Sequence, residues 1–202
     1  MRKTYTIPFL LLLFPACEGF EERKKEREEL RKAQFESEVE PKVQIARMFD
    51  SVTLFVKEEH ISLGFPGMSN EGPAPHFCPG TTKGNLEIDS GVVPPLDVKC
   101  SNGPGHMCVP TTSPRAPWEY DFSMWLDNPV FQSIGYTQEM PHIMHYQFVG
   151  KSSSGGYGSC EFTIRAFGDV DGDGTYSTYE RSGKFTEKGM SGGSLKSYNE
   201  RE

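Results

Sequence analysis

Residues 160–185 read CEFTIRAFGDVDGDGTYSTYERSGKF. CEFTIRAF (160–167) and TYSTYERSGKF (175–185) alternate with period two and are rich in β-branched and aromatic residues, as strands are. Between them, GDVDGDG (168–174) is a chain reversal. Asp-Gly steps favour positive φ, which glycine alone adopts freely, so Gly172 and Gly174 are the turn positions. Immediately upstream, HYQFVG (145–150) alternates in the same way, and SSSGGYGS (152–159) separates it from the next run. Three strands in sequence order with short polar connections predict an antiparallel meander.

The reversal also carries a metal pattern. From Asp169, acidic residues stand at steps 1, 3 and 5, glycine at 6 and glutamate at 12, the register of an EF-hand loop. In that register Asp169, Asp171 and Asp173 are candidate calcium ligands, Thr175 offers its carbonyl, Ser177 acts through water and Glu180 binds with both oxygens. The flanks argue against the last ligand. In a strand, Glu180 lies about 20 Å beyond Gly174, at about 3.3 Å per residue. A calcium ion is the cofactor the pattern implies, with a plain Asp-Gly turn as the alternative.

Upstream, Ile45, Met48, Phe49, Val52, Phe55 and Val56 recur at three- and four-residue steps, an amphipathic helix that needs a surface to cover it. EERKKEREELRKAQFESEVE (21–40) is also helical but solvated. Its mixed charges sit at i,i+4 spacings such as Glu21–Lys25 and Glu28–Lys32. Pro41 lacks a backbone donor and predicts a kink or a fresh start. Residues 62–117 are dense in turn formers and predict a loop region with little regular structure. Pro129–Ile134 predicts a short helical turn, and 186–202 a frayed tail. The expected fold is α+β: a long N-terminal helix on a three- to four-stranded antiparallel sheet, with a disulfide-stapled loop region.

The N-terminus reads as an export signal. MRK is basic, TIPFLLLLF is apolar and too short to span a bilayer, and Ala16 precedes Cys17. The step at Ala16–Cys17 resembles a bacterial lipobox, which makes Cys17 the expected lipidation site. The expected organisation is a signal peptide (1–16), a lipid-anchored charged stalk (17–40), a head (41–185) and a flexible tail (186–202). Five cysteines support this: acylating Cys17 leaves Cys78, Cys100, Cys108 and Cys160, enough for two disulfides in an oxidising compartment. Three pairings are open. The preferred one joins Cys100 to Cys108 and Cys78 to Cys160. No CxxC or CxxH spacing occurs, which disfavours zinc.

FQSIGYTQEMPHIMHYQFVG (131–150) followed by CEFTIRAFGDVDGDGTYSTYERSG (160–183) resembles the C-terminal half of type IV pilin-like proteins, those of deltaproteobacteria and myxobacteria above all. The resemblance runs from about Pro41 to Gly183 and implies a helix-on-sheet head that binds rather than catalyses. Its implied partners belong to pilus or secretion machinery, or the head is an adhesin. The segment after Cys17 departs from the family, whose helix begins apolar; a helix opening on GFEERKKEREEL would bury unpaired charges in a membrane or filament core. The chain therefore reads as a pilin-like head on a lipid anchor in the outer membrane, facing the periplasm or the cell surface. A net charge of −7 disfavours nucleic acid as a partner.

Enzymatic signals are weak. GMSGG (189–193) fits G-x-S-x-G, but all five histidines precede Ser191, and the nucleophile elbow needs a helix and a histidine after it. His142 and His145 in a strand face opposite ways, one buried and one exposed. The alternative function is a periplasmic enzyme or small-ligand binder using the 64–117 region.

Overall fold

The computed structural model describes residues 15–62, 77–82, 84–154 and 158–200; for 15–21 and 57–62 it describes backbone alone. The export signal, the Cys17 side chain and residues 63–76 of the expected loop lie outside the described residues.

One helix, α1 (Pro15–Ser62), opens the structure and continues through Pro41. Of the two outcomes expected at that proline, the fresh start is corrected, since the helix is continuous across it. A helix covered on one side by tertiary packing tolerates one missing donor. The side chains of 22–29 are solvated. Among the described residues, Lys25 pairs with Glu29 at 3.9 Å and Lys32 with Glu36 at 3.7 Å, surface pairs worth little. From Ala33 onward one face is covered: Ala33 and Ser37 are buried, and the helix touches the turn at 104–106. Ile45, Met48, Phe49, Val52 and Val56 follow on the buried stripe, with Phe55 packed at its margin.

The sheet that receives this stripe is larger than the sequence predicts. β1 (Glu87–Val93), β4 (His145–Ser153), β5 (Ser159–Gly168), β6 (Ser177–Thr186) and β7 (Gly189–Gly192) lie side by side in that order, and β8 (Lys196–Tyr198) also pairs with β6. All these pairings are antiparallel. A separate parallel pair joins β2 (Val109–Thr111) to β3 (Glu119–Asp121). The expected α+β fold with three or four strands is therefore corrected: six strands make a mostly-sheet fold with one long helix. The meander β4–β5–β6 was legible from its alternation. β1 was not, because the pairing slips between Asp89 and Val92 at Gly91 (φ 67°), and this bulge breaks the period of two. Residues 189–198, expected to fray, form β7 and β8 instead; their glycine and serine content hides strand propensity.

The two faces of the sheet differ as alternation requires. Tyr146, Phe148, Phe162, Ile164, Ala166, Tyr179 and Phe185 are buried on the α1 side. Phe148 stacks on Phe162 with centroids 5.6 Å apart, and Phe162 meets Phe49 of α1 at 5.4 Å. The guanidinium carbon of Arg181 lies 3.8 Å from the Phe49 ring centroid, closing that edge of the core with a cation–π contact. The opposite face carries polar rows in register. Glu87, Lys151, Glu161 and Lys184 run across four strands, linked by Lys151–Glu87 at 2.6 Å and by the Lys184–Glu161 pair.

Gly183 sits where the sheet meets Phe49 of the helix. A Cβ there would stand 2.5 Å from Phe162 Cζ and 2.8 Å from Phe49 Cε2. Gly183→Val is expected to destabilise the fold by about 2–3 kcal/mol through overpacking, read as a lowered urea midpoint with an unchanged m value.

At the foot of the sheet, α2 (Ser123–Leu126) and α3 (Pro129–Ser133) seat a second aromatic cluster. The helical turn expected at 129–134 is present. Asn128 caps it by accepting from Val130 N–H at 3.1 Å, with Pro129 in the first turn. Trp125 is fully buried between Phe131, Tyr136 and Tyr146, with centroids 4.7, 5.6 and 6.2 Å away. Both disulfides take the preferred pairing, Cys78–Cys160 and Cys100–Cys108.

Candidate functional site

Three segments converge at one end of the sheet: the stapled loop from Pro94 to Cys108, the first residue of β4, and the acidic connection between β5 and β6. Gly172 of the acidic turn abuts Ser101, its Cβ direction 3.0 Å from Ser101 Oγ. Tyr176 donates to the Leu96 carbonyl at 3.2 Å, and its ring lies edge-on to His145 at 6.4 Å. The turn is thus anchored to the loop beneath it.

The structure brings Asp169, Asp171 and Asp173 together, with one carboxylate oxygen from each within 4.8 Å of the others. Asp169 accepts from Gly172 N–H at 2.9 Å and Gly174 N–H at 3.1 Å. Asp171 accepts from Asp173 N–H, and Asp173 from Thr175 N–H. These side chains satisfy backbone donors of their own turn, as Asx-turns do. Gly172 and Gly174 take φ of 77° and 91°, the conformation expected of them. Glu180 does not join the cluster. It lies on β6 opposite Arg165 and accepts from that guanidinium at 2.8 Å. The EF-hand register is therefore corrected at step 12: a strand carries Glu180 away from the turn.

The expectation for the histidines is corrected as well, since both are buried. They serve different clusters. His142 donates from Nδ1 to the Met144 carbonyl at 2.7 Å, which leaves Nε2 to accept from Tyr120 O–H at 2.8 Å. Tyr120 in turn accepts from Trp125 Nε1–H at 2.8 Å. This chain is complete at every atom, the condition under which a buried polar network supports a core. His145 instead faces Cys100, with Nε2 3.2 Å from Sγ. Cys100, Cys108 and His145 form a second group with metal-ligating atoms within 4.8 Å, all three buried. Sequence reading missed it because Cys100 and Cys108 are 8 positions apart and the histidine lies 45 positions past Cys100, outside local zinc spacings.

Burial pushes His142 down to about 3 and also lowers His145, because a charged imidazole loses its hydration there. The unfolded chain therefore binds more protons than the native state below the ordinary value of 6.5. Stability is expected to fall as pH drops through that window, by up to about 2.7 kcal/mol per pH unit if both take up protons. Melting temperatures at a series of pH values between 7 and 4 check this, and His142→Gln should flatten the slope.

Ser191 lies in β7 and donates to the Lys184 carbonyl at 3.2 Å. It is a residue of a short edge strand, and among the described residues no helix follows it as a nucleophile elbow requires. No helix among the described residues is long and apolar enough to cross a membrane. No protein-family model, curated protein or solved structure matches this chain.

Proposed function

We propose that the chain is a non-enzymatic cell-envelope lipoprotein whose head binds a protein partner in pilus or secretion machinery, or on another cell, in the manner of type IV pilin-like proteins. The carrying observation is the loop cluster at the sheet end, where the Cys100–Cys108 staple, Tyr176 and the acidic turn hold an irregular surface on a rigid scaffold. Loops fixed in this way are the usual place for recognition. Supporting the pilin-like part, the second half of α1 packs its apolar stripe on the inner face of β5 and β6.

Lipid attachment at Cys17 is the anchor in this reading. Metabolic labelling with a palmitate analogue is expected to tag the wild-type chain and to miss Cys17→Ser. Release of unlabelled wild-type protein from washed cells into buffer would overturn the anchor. Pull-down from detergent-solubilised membranes is expected to recover a partner that Asp171→Asn/Asp173→Asn loses. Calcium on the acidic turn is a stabiliser in this reading. At millimolar calcium and a dissociation constant near 0.1 mM it adds about 1.4 kcal/mol, so a melting curve indifferent to chelator and to excess calcium removes it.

A further inference from the structure

The imidazole of His145 is already set as a ligand. Its Nδ1 lies 2.8 Å from the Pro94 carbonyl oxygen. A carbonyl only accepts, so Nδ1 carries the hydrogen and Nε2 carries the lone pair. That lone pair points at Cys100 Sγ, 3.2 Å away. A disulfide sulfur has no hydrogen to give, so an acceptor on a side chain only 2% exposed is left without a donor. Donation from one ring nitrogen to a backbone carbonyl, with the other aimed at a shared point, is how metal-binding histidines are held.

The sulfurs complete the set. Cys100 is 5% exposed and Cys108 fully buried. Zinc–sulfur bonds of about 2.3 Å and zinc–nitrogen bonds of about 2.0 Å place tetrahedral ligands about 3.5–3.8 Å apart. Three donor atoms within 4.8 Å of one another reach that spacing by small side-chain rotations once the sulfurs are released.

We propose that reduction of the Cys100–Cys108 disulfide converts this cluster into a Cys₂His site for a thiophilic divalent cation, with zinc as the type case. A small dithiol supplies the two electrons and two protons: its own sulfurs join in a disulfide, the Cys100–Cys108 bond breaks, and two thiols form. Zinc then displaces both thiol protons to solvent. The product holds one dication, two thiolates and a neutral imidazole, so its net charge is zero. The metal-free thiols and the loaded complex are both neutral, so burial leaves no net charge to desolvate, and the zinc–thiolate and zinc–imidazole bonds supply the driving force. Three protein ligands leave a fourth position for water. Asp169 and Asp97 act on His145 itself with negative charge and Lys99 with positive charge. In the oxidised chain the sulfurs are committed to each other and the site is closed, so redox state gates it.

The test uses the full chain and cobalt(II) as a spectroscopic stand-in. Protein is reduced with a dithiol, freed of reductant without air, and titrated beside an oxidised sample. Reduced protein is expected to bind one equivalent, with a thiolate-to-cobalt charge-transfer band and the visible bands of a tetrahedral ion; zinc should bleach both. Oxidised protein is expected to bind none here. Cys78→Ala/Cys160→Ala should keep the signal and Cys100→Ala/Cys108→Ala should lose it. His145→Gln keeps both thiols and is expected to weaken binding at least about tenfold. A missing band in reduced wild type, a band that survives loss of Cys100 and Cys108, or an affinity indifferent to His145→Gln overturns the proposal. If the double alanine variant does not fold, the wild-type spectrum and His145→Gln decide alone.

Discussion

Alanine at both Cys78 and Cys160 is expected to lower the unfolding free energy by about 4.5 kcal/mol. The bond closes a loop spanning 82 positions, and chain-entropy loss in the unfolded state scales with the logarithm of that length. The native side of the balance is well prepared. Gly150 leaves room for Cys78, whose Cβ and Sγ each lie 3.1 Å from where a Gly150 Cβ would be. Cys78 N–H donates to Ser152 Oγ at 2.8 Å, and Thr81 Oγ1 lies 3.0 Å from the same hydroxyl. Segment 77–82 is thereby docked on the end of β4 with its cysteine sealed from solvent. Calorimetry of the double variant measures the loss. A drop below about 1 kcal/mol would mean that docking alone holds the segment, contrary to the loop-closure account.

Glu40→Ala is expected to destabilise by about 3 kcal/mol. Its carboxylate accepts from Ile143 N–H at 2.9 Å, Met144 N–H at 3.3 Å and Tyr146 O–H at 2.7 Å. Those donors belong to the chain entering β4, so one side chain of α1 fastens the helix to the sheet. Truncation strands three buried donors, each costing about 1–3 kcal/mol, and part of this is offset because no carboxylate is then desolvated. Glu40→Gln keeps one acceptor oxygen but turns its NH₂ toward donors, and should fall between wild type and alanine. Both variants also differ from wild type in their pH dependence. Burial raises the Glu40 pKa above its ordinary 4.5, against the pull of its three hydrogen bonds. A raised carboxyl contributes stability that is fully present below 4.5 and is lost as pH rises through the folded-state value. This runs opposite to the two histidines, whose effect begins below 6.5. Chemical denaturation of Glu40→Gln across pH 4 to 8 should lack the Glu40 component, and a profile parallel to wild type would sink the assignment.

How far the sequence led depends on how local each signal was. β4, β5 and β6 were plain because each alternates over six or more residues with turn formers between. The stripe from Ile45 to Val56 was plain because a helix repeats it. Strand β1 escaped because a bulge at Gly91 shifts its period, and β7 and β8 because their four and three residues hold too little apolar material. At the site, the acidic turn was readable from spacing, while the destination of Glu180 required the strand that carries it to Arg165. The joining of Cys100, Cys108 and His145 is purely tertiary, and no spacing rule reaches across it. Glu40 was hidden among charges that look alike; only its position opposite residues 143–146 separates it from its solvated neighbours.

On one side of β6, the sheet ends in two successive pieces, β7 against 183–186 and β8 against 178–180, with Arg181 and Ser182 between them. The other border, β1, is kinked by its bulge. A stray chain seeking a straight run of free amides therefore finds each rim interrupted, one by a gap and one by a twist. Such rims are poor templates for strand addition, and the molecule resists edge-to-edge aggregation through geometry that costs its core nothing.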